Sequence, residues 1–231
     1  MEPSHPDPHY AAELFELREG VLLMGARVEE MLSASWRAFH TRDSLLAQRT
    51  AKNDSQVDRL EVELDERCLR VLARWKPVAS DLRFVTAVLK LVTNLERMGD
   101  LAESICRRTL QLNSLPPVAT AAPLVTMAET AFQMVADSLD AFSRQDAARA
   151  GAVIGKDRIV DACYAQSFPA LLTLMAKDAT RIPVATALSD VAKSLERIAD
   201  QATNVAELVV FIVDGRQLKH LDRARDGLAA S

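Results

Sequence analysis

Apolar side chains return along this chain every three or four residues, the period of a helix with one buried face. Between Tyr10 and Phe39, Leu14, Leu17, Val21, Val28, Met31 and Leu32 recur at spacings of 3, 4 and 7. Asp43 offers an N-cap, and a second helical pattern runs on to Trp75, where Lys76-Pro77 ends it. A third begins near Pro77 and carries Leu82, Val85, Leu89, Val92, Leu95, Met98 and Leu101 up to about Leu112. Asn113-Ser114-Leu115-Pro116-Pro117 then reads as a linker, because two prolines forbid helix continuation. Three further helical segments follow, over about 120–143, 146–179 and 182–214, and Pro169 is expected to kink or break the middle one. No strand-like alternation of any length interrupts them. The expected fold is all-α.

The second half repeats the first. FHTRDSLLAQRTAKNDSQVD at 39–58 aligns without a gap on FSRQDAARAGAVIGKDRIVD at 142–161, so that Phe39 meets Phe142, Asp43 meets Asp146, Asp54 meets Asp157 and Asp58 meets Asp161, at an offset of 103. Further on, Glu96 pairs with Glu196 and Asp100 with Asp200 at an offset of 100. Three residues have therefore been lost near the turn between the second and third helices of the second half. The organisation expected is two tandem three-helix bundles related by internal duplication: a disordered leader over 1–9, bundles over 10–115 and 118–216, and a tail over 217–231.

Composition narrows the class. With 49% hydrophobic and 26% charged residues among 231, the chain reads as an ordinary soluble globular protein, and its low glycine and aromatic content favours helices. A net charge of −4 gives no general attraction to nucleic acid. Cys68, Cys106 and Cys163 lack CxxC spacing and are expected to be buried free thiols in a reducing cytosol. The polar, proline-rich start MEPSHPDPHY does not read as a signal peptide. No apolar run approaches the roughly 20 residues of a membrane span, LVVFIV at 208–213 being far too short.

The chemistry lies in repeated carboxylates. Asp54, Asp58, Glu61 and Asp65 occupy i, i+4, i+7 and i+11, one stripe of a helix, beside the apolar Val57, Leu60, Leu64 and Cys68. Glu96, Asp100 and Glu103 form a second stripe beside Leu95, Met98 and Leu101. Acids bordering the packing faces of two consecutive helices should converge when those helices form a hairpin. Two unit charges about 5 Å apart repel by about 3 kcal/mol at an effective dielectric of about 20, so something should neutralise the cluster. Protons, arginines or multivalent cations would serve. Arg97 and Arg197 adjoin the motif, but one step along a helix rotates by about 100°, so they are expected to point mostly elsewhere. A single ExxxD is an everyday feature of a solvated helix; its recurrence, with DxxxD on the preceding helix in both halves, is what points to a site. An all-oxygen set suits magnesium, manganese or iron better than structural zinc. The four histidines show no HExxH pairing, and GAVIGKD at 151–157 is one residue short of a phosphate loop and has no hydroxyl residue after its lysine.

PVASDLR at 77–83, NLERMGDLAE at 94–103, SLERIADQATNVAE at 194–207 and the tail VVFIVDGRQLKHL together resemble the PhoU family of phosphate-signalling regulators, over nearly the whole chain. The resemblance implies a cytoplasmic, non-enzymatic negative regulator that links a phosphate ABC transporter to a sensor histidine kinase; separately, exposed helix faces lead to the expectation of a homodimer. It also implies carboxylate-bound, multinuclear metal clusters. One would be held by Asp54, Asp58, Glu61, Glu96, Asp100 and Glu103, the other by Asp157, Asp161, Glu196, Asp200, Asn204 and Glu207. Gln201 stands where the family often has His, and Ser104 where Asn is usual. Tyr164 takes the place equivalent to Glu61 and Thr203 that of Glu103, so the first site is expected to hold metal more tightly. A metal-free helical adaptor is the main rival reading. A di-iron carboxylate enzyme is the weaker one, since it needs paired Glu-x-x-His motifs that the chain lacks.

Overall fold

The computed structural model describes residues 7–117 and 122–216, all helices and short connections, with no strand among them. In chain order the helices are α1 (Pro8–Thr41), α2 (Ser44–Lys52), α3 (Asp54–Trp75), α4 (Ala79–Asn113), α5 (Ala122–Arg144), α6 (Ala147–Lys177) and α7 (Ile182–Asp214), with one 3₁₀ turn (Ala179–Arg181) before α7. Five of the six expected segments appear as single helices. The second is jointed: the helical pattern from Asp43 to Trp75 breaks at Asn53, whose N–H bonds back to the Thr50 carbonyl at 3.0 Å. Its counterpart α6 runs through the equivalent position unbroken. It also runs without a break through Pro169, where a kink or break was expected. The carbonyl that proline leaves without a donor belongs to Ala165, an exposed residue where water can replace it. Pro8 and His9 form the first turn of α1, so the expected leader is shorter than 1–9; residues 1–6 and the tail 217–231 lie outside the described residues.

The duplication extends to the turns. Arg42 and Gln145, 103 residues apart, both adopt left-handed φ, at 55° and 53°. Each is followed by an aspartate cap: Asp43 accepts from the Leu46 N–H and Asp146 from the Arg149 N–H, both at 2.9 Å. Each cap satisfies one of the orphan donors at the start of a helix.

The two halves do not have separate interiors. One continuous core joins Leu17, Met24 and Met31 of α1, Leu91, Leu95 and Met98 of α4, Met127 and Met134 of α5, and Leu195 and Ile198 of α7, all essentially inaccessible to solvent. The third helices of the halves, α4 and α7, pack antiparallel. Arg108 near the end of α4 pairs with Asp190 near the start of α7 at 2.9 Å, and a β-carbon placed on Gly215, beyond α7, would stand 3.6 Å from the guanidinium of Arg83 near the start of α4. The first helices also meet: Gly25 lies against Leu139. One expectation about apolar runs fails, because α6 is long and apolar enough to pass for a membrane span by length and composition, and only 11% of that stretch is buried.

Candidate functional site

The acids of α3 and α4 do converge. Burial, then the charges of Asp58, Asp100 and Glu103, push Asp54 up to about 6 against the pull of Arg107. Burial, then Asp100, Glu61, Asp58 and Asp54, push Glu96 up to about 7. Glu61 is raised by burial and by Asp65, Asp58 and Asp100, with Thr93 pulling the other way. Six expected residues, Asp54, Asp58, Glu61, Glu96, Asp100 and Glu103, therefore share one electrostatic neighbourhood across two helices. Oδ1 of Asp54 and Oδ1 of Asp65 are buried with no hydrogen-bond partner. A buried carboxylate oxygen without a donor is costly, and a proton or a cation would relieve it.

The second half repeats the arrangement with fewer charges. Asp157 is pushed up to about 6 by burial and then by Asp161, Asp200 and Glu196. Burial, Asp200 and Asp161 raise Glu196, while Lys193 and Arg197 draw it down. Asp200 is raised by burial and Asp161 and lowered by Arg197. Asn204 and Glu207 stand one and two turns further along α7, both half-buried. Tyr164, in the place equivalent to Glu61, packs against the core. Gln201 Oε1 and Thr203 Oγ1 are buried without a hydrogen-bond partner, and Thr203 puts a neutral oxygen in the place of Glu103.

Three contributors escaped the sequence reading. Arg107 pairs with Glu103 at 3.4 Å and acts on Asp54; its i+4 spacing from Glu103 was the available signal. Arg197 was expected to point away, yet it acts on both Glu196 and Asp200; Arg97 is not among the charges that act on Glu96. Gly99 lets α3 approach α4 beneath the cluster. Among the described residues no three His, Cys, Asp or Glu side chains are close enough together to make a ready metal-ligand set. Cys68 and Cys106 are buried free thiols, pushed up to about 12 by burial and then by the charges of Asp65 and Glu103 respectively. Cys163, expected buried, is half-buried.

Seven helices among the described residues, carrying two matching acid clusters, make a specific arrangement, and comparison with known proteins places it. The PhoU domain model matches the chain twice, at residues 21–109 and 124–209. The chain belongs to the PhoU family. It is 37% identical to the phosphate-specific transport system accessory protein PhoU of Serratia marcescens, over 94% of this chain and 89% of that one. Against the Escherichia coli protein of the same name it is 36% identical over 94% and 90%. The crystal structure of PhoU from Pseudomonas aeruginosa superposes with a TM-score of 0.87 at 37% identity, covering 90% of this chain and all of that one. The phosphate transport system regulatory protein PhoU of Streptococcus pneumoniae gives 0.83 at 30% identity, covering 90% and 99%. The all-helical PhoU fold and its duplication, read from hydrophobic spacing and the repeated acids, are thereby established for this chain.

Proposed function

We propose that this chain is a cytoplasmic, metal-binding, non-enzymatic regulator of phosphate uptake and phosphate-starvation signalling. In this reading it acts as an adaptor between a phosphate ABC transporter and a sensor histidine kinase, holding the kinase silent when phosphate is plentiful. The regulatory role in phosphate transport follows the names of its relatives. The metal role rests on one observation: Glu96 on α4 shares its environment with Asp54, Asp58 and Glu61 on α3, and Asp157 on α6 does the same with Glu196 and Asp200 on α7. Carboxylates gathered at like-charged range on both halves suit hard cations such as iron, manganese or magnesium. The buried, undonated Asp54 Oδ1 fits that role. The acids would rotate inwards onto the ion.

Arg107 favours a second reading, a metal-free adaptor, because it already offsets part of the first cluster's charge. Metal analysis of protein purified without chelator or nickel separates the two: the regulator retains iron, manganese or magnesium, and the metal-free adaptor retains none. For the cellular role, deleting the gene is expected to switch on phosphate-starvation genes in rich medium. Unchanged expression would remove the signalling part of the proposal.

A further inference from the structure

The duplication is incomplete in one place, and the shortfall leaves a helix face uncovered. In the first half, the opening three turns of α1 lie antiparallel along the end of α3. Glu16 pairs with Arg67 at 2.5 Å, Glu13 with Arg74 at 3.4 Å, and Gly20 sits against Leu64. Cys68 and Val71 are completely buried beneath this segment. At the repeat offset of 103, the residues in register with 8–18 of α1 are 111–121. Of these, Gln111–Asn113 finish α4 and Ser114–Pro117 turn away from it. Four residues then remain before α5 begins at Ala122, too few for three helical turns. Residues 168–177 of α6 therefore run on past the start of α5.

Burial records the loss. Leu171 and Leu174, the counterparts of fully buried Cys68 and Val71, are only half-buried, and Phe168, the counterpart of half-buried Asp65, is 52% exposed. The sequence has changed with it. Glu63, Glu66, Arg67 and Arg70 of α3 are replaced by Gln166, Pro169, Ala170 and Thr173. A face that merely met water would have kept charges. One charge persists: Lys177 occupies the place of Arg74.

The described part of the chain begins and ends far from the gap. Tyr10 near the start of α1 donates to Asp81 at 2.8 Å, and Gly215 lies beside Arg83, so both ends leave near the start of α4. The end of α6 adjoins the start of α7, which lies beside Arg108. From Arg83 to Arg108 along α4 is about 37 Å.

We infer that the end of α6, at Phe168, Leu171, Leu174 and Met175, is the docking site for an amphipathic helix of a partner protein that takes the place α1's opening turns hold in the first half. Tyr10, Leu14 and Leu17 define its apolar anchors, at i, i+4 and i+7, and Glu13 its acid, which would face Lys177. Two copies of this chain pairing through the same stretch would bury only about three turns each, short of the roughly 800 Å² per partner of a stable dimer.

A fluorescently labelled peptide of residues 7–20, used as probe against the full-length chain, tests this. Binding is expected at tens of micromolar, weakened at least tenfold when Leu14 and Leu17 of the probe become Ser. Phe168→Asp, which restores the first-half residue, should weaken binding at least fivefold while leaving the helical circular dichroism and the melting temperature unchanged. Lys177→Glu should weaken it, and a Glu13→Lys probe should restore it. Equal binding by all variants, no rescue by the charge swap, concentration-dependent dimerisation abolished by Phe168→Asp, or binding to lipid vesicles lost in Phe168→Asp would each overturn the proposal.

Discussion

A β-carbon placed on Gly99 would stand 3.2 Å from Oδ1 of Asp54 and 3.3 Å from Cγ1 of Val57. The absence of a side chain at this point of α4 sets how closely α3 approaches, and with it the spacing of the acids on the two helices. Gly99→Ala gains about 1 kcal/mol of helix propensity, and the crowded carboxylate gives back much of that. Global stability in denaturant melts is expected to stay within about 1 kcal/mol of the parent. Cation affinity at the first cluster should fall severalfold by calorimetric titration; unchanged affinity would show that the acid spacing does not depend on Gly99.

Glu96→Gln removes the charge that most of the first cluster opposes. Repulsion between charges about 5 Å apart, about 3 kcal/mol at a dielectric of about 20, is reduced further by solvent, so a gain of about 1 kcal/mol is expected in chelator-treated protein. In the presence of manganese the sign should reverse. Because Tyr164 and Thr203 replace two acids of the second cluster, Glu96→Gln is expected to remove the tighter of two binding events and Glu196→Gln the weaker. Equal losses from both variants would contradict that ranking.

Acidity should stabilise the cation-free protein. Asp54, Glu96 and Asp157, raised to about 6, 7 and 6, hold protons more firmly folded than their unfolded values of about 4 allow. Their contribution is thus complete below about pH 4 and lost as pH rises through 6 to 7. Asp137 runs the other way: burial raises it, but hydrogen bonds from Lys156 and Gln133 outweigh that, so its contribution is lost at low pH. Melting temperature in chelator should fall by several degrees from pH 5.5 to 8, and millimolar manganese should flatten the slope. A flat profile in chelator would mean that the clusters are already neutralised by arginine.

Arg42 and Gln145 carry the same left-handed strain but not the same compensation. The Arg42 guanidinium donates to the carbonyls of Leu112 at 2.7 Å and Leu115 at 3.0 Å, tying the first turn to the end of α4. No hydrogen bond from the Gln145 side chain occurs among the described residues. Gln145→Gly is expected to raise stability by about 1 kcal/mol and Arg42→Gly to lower it, both read from chemical denaturation.

The helices were legible because their apolar spacing is long and regular: α1, α4 and α7 begin and end within about two residues of the pattern in the sequence. The joint at Asn53 was not legible, since neither proline nor glycine marks it and the apolar register carries on to Val57. Pro169 failed as a breaker because the carbonyl it deprives belongs to an exposed residue. The convergence of Asp54 with Asp100 and of Asp157 with Asp200 followed from stripes beside apolar positions, which any antiparallel hairpin brings together. Arg107 and the role of Gly99 depend on which neighbour a side chain meets across the hairpin, and one helix's spacing does not encode that.

The single interior running through both halves has a consequence for how the molecule can be taken apart. Cleavage between Pro116 and Pro117 would sever the chain without releasing two modules, because α4 and α7 would each be stripped of an apolar wall along their whole length. A nicked protein should elute at its original size, and either fragment made alone should aggregate. Duplication here produced two acid clusters on one shared core.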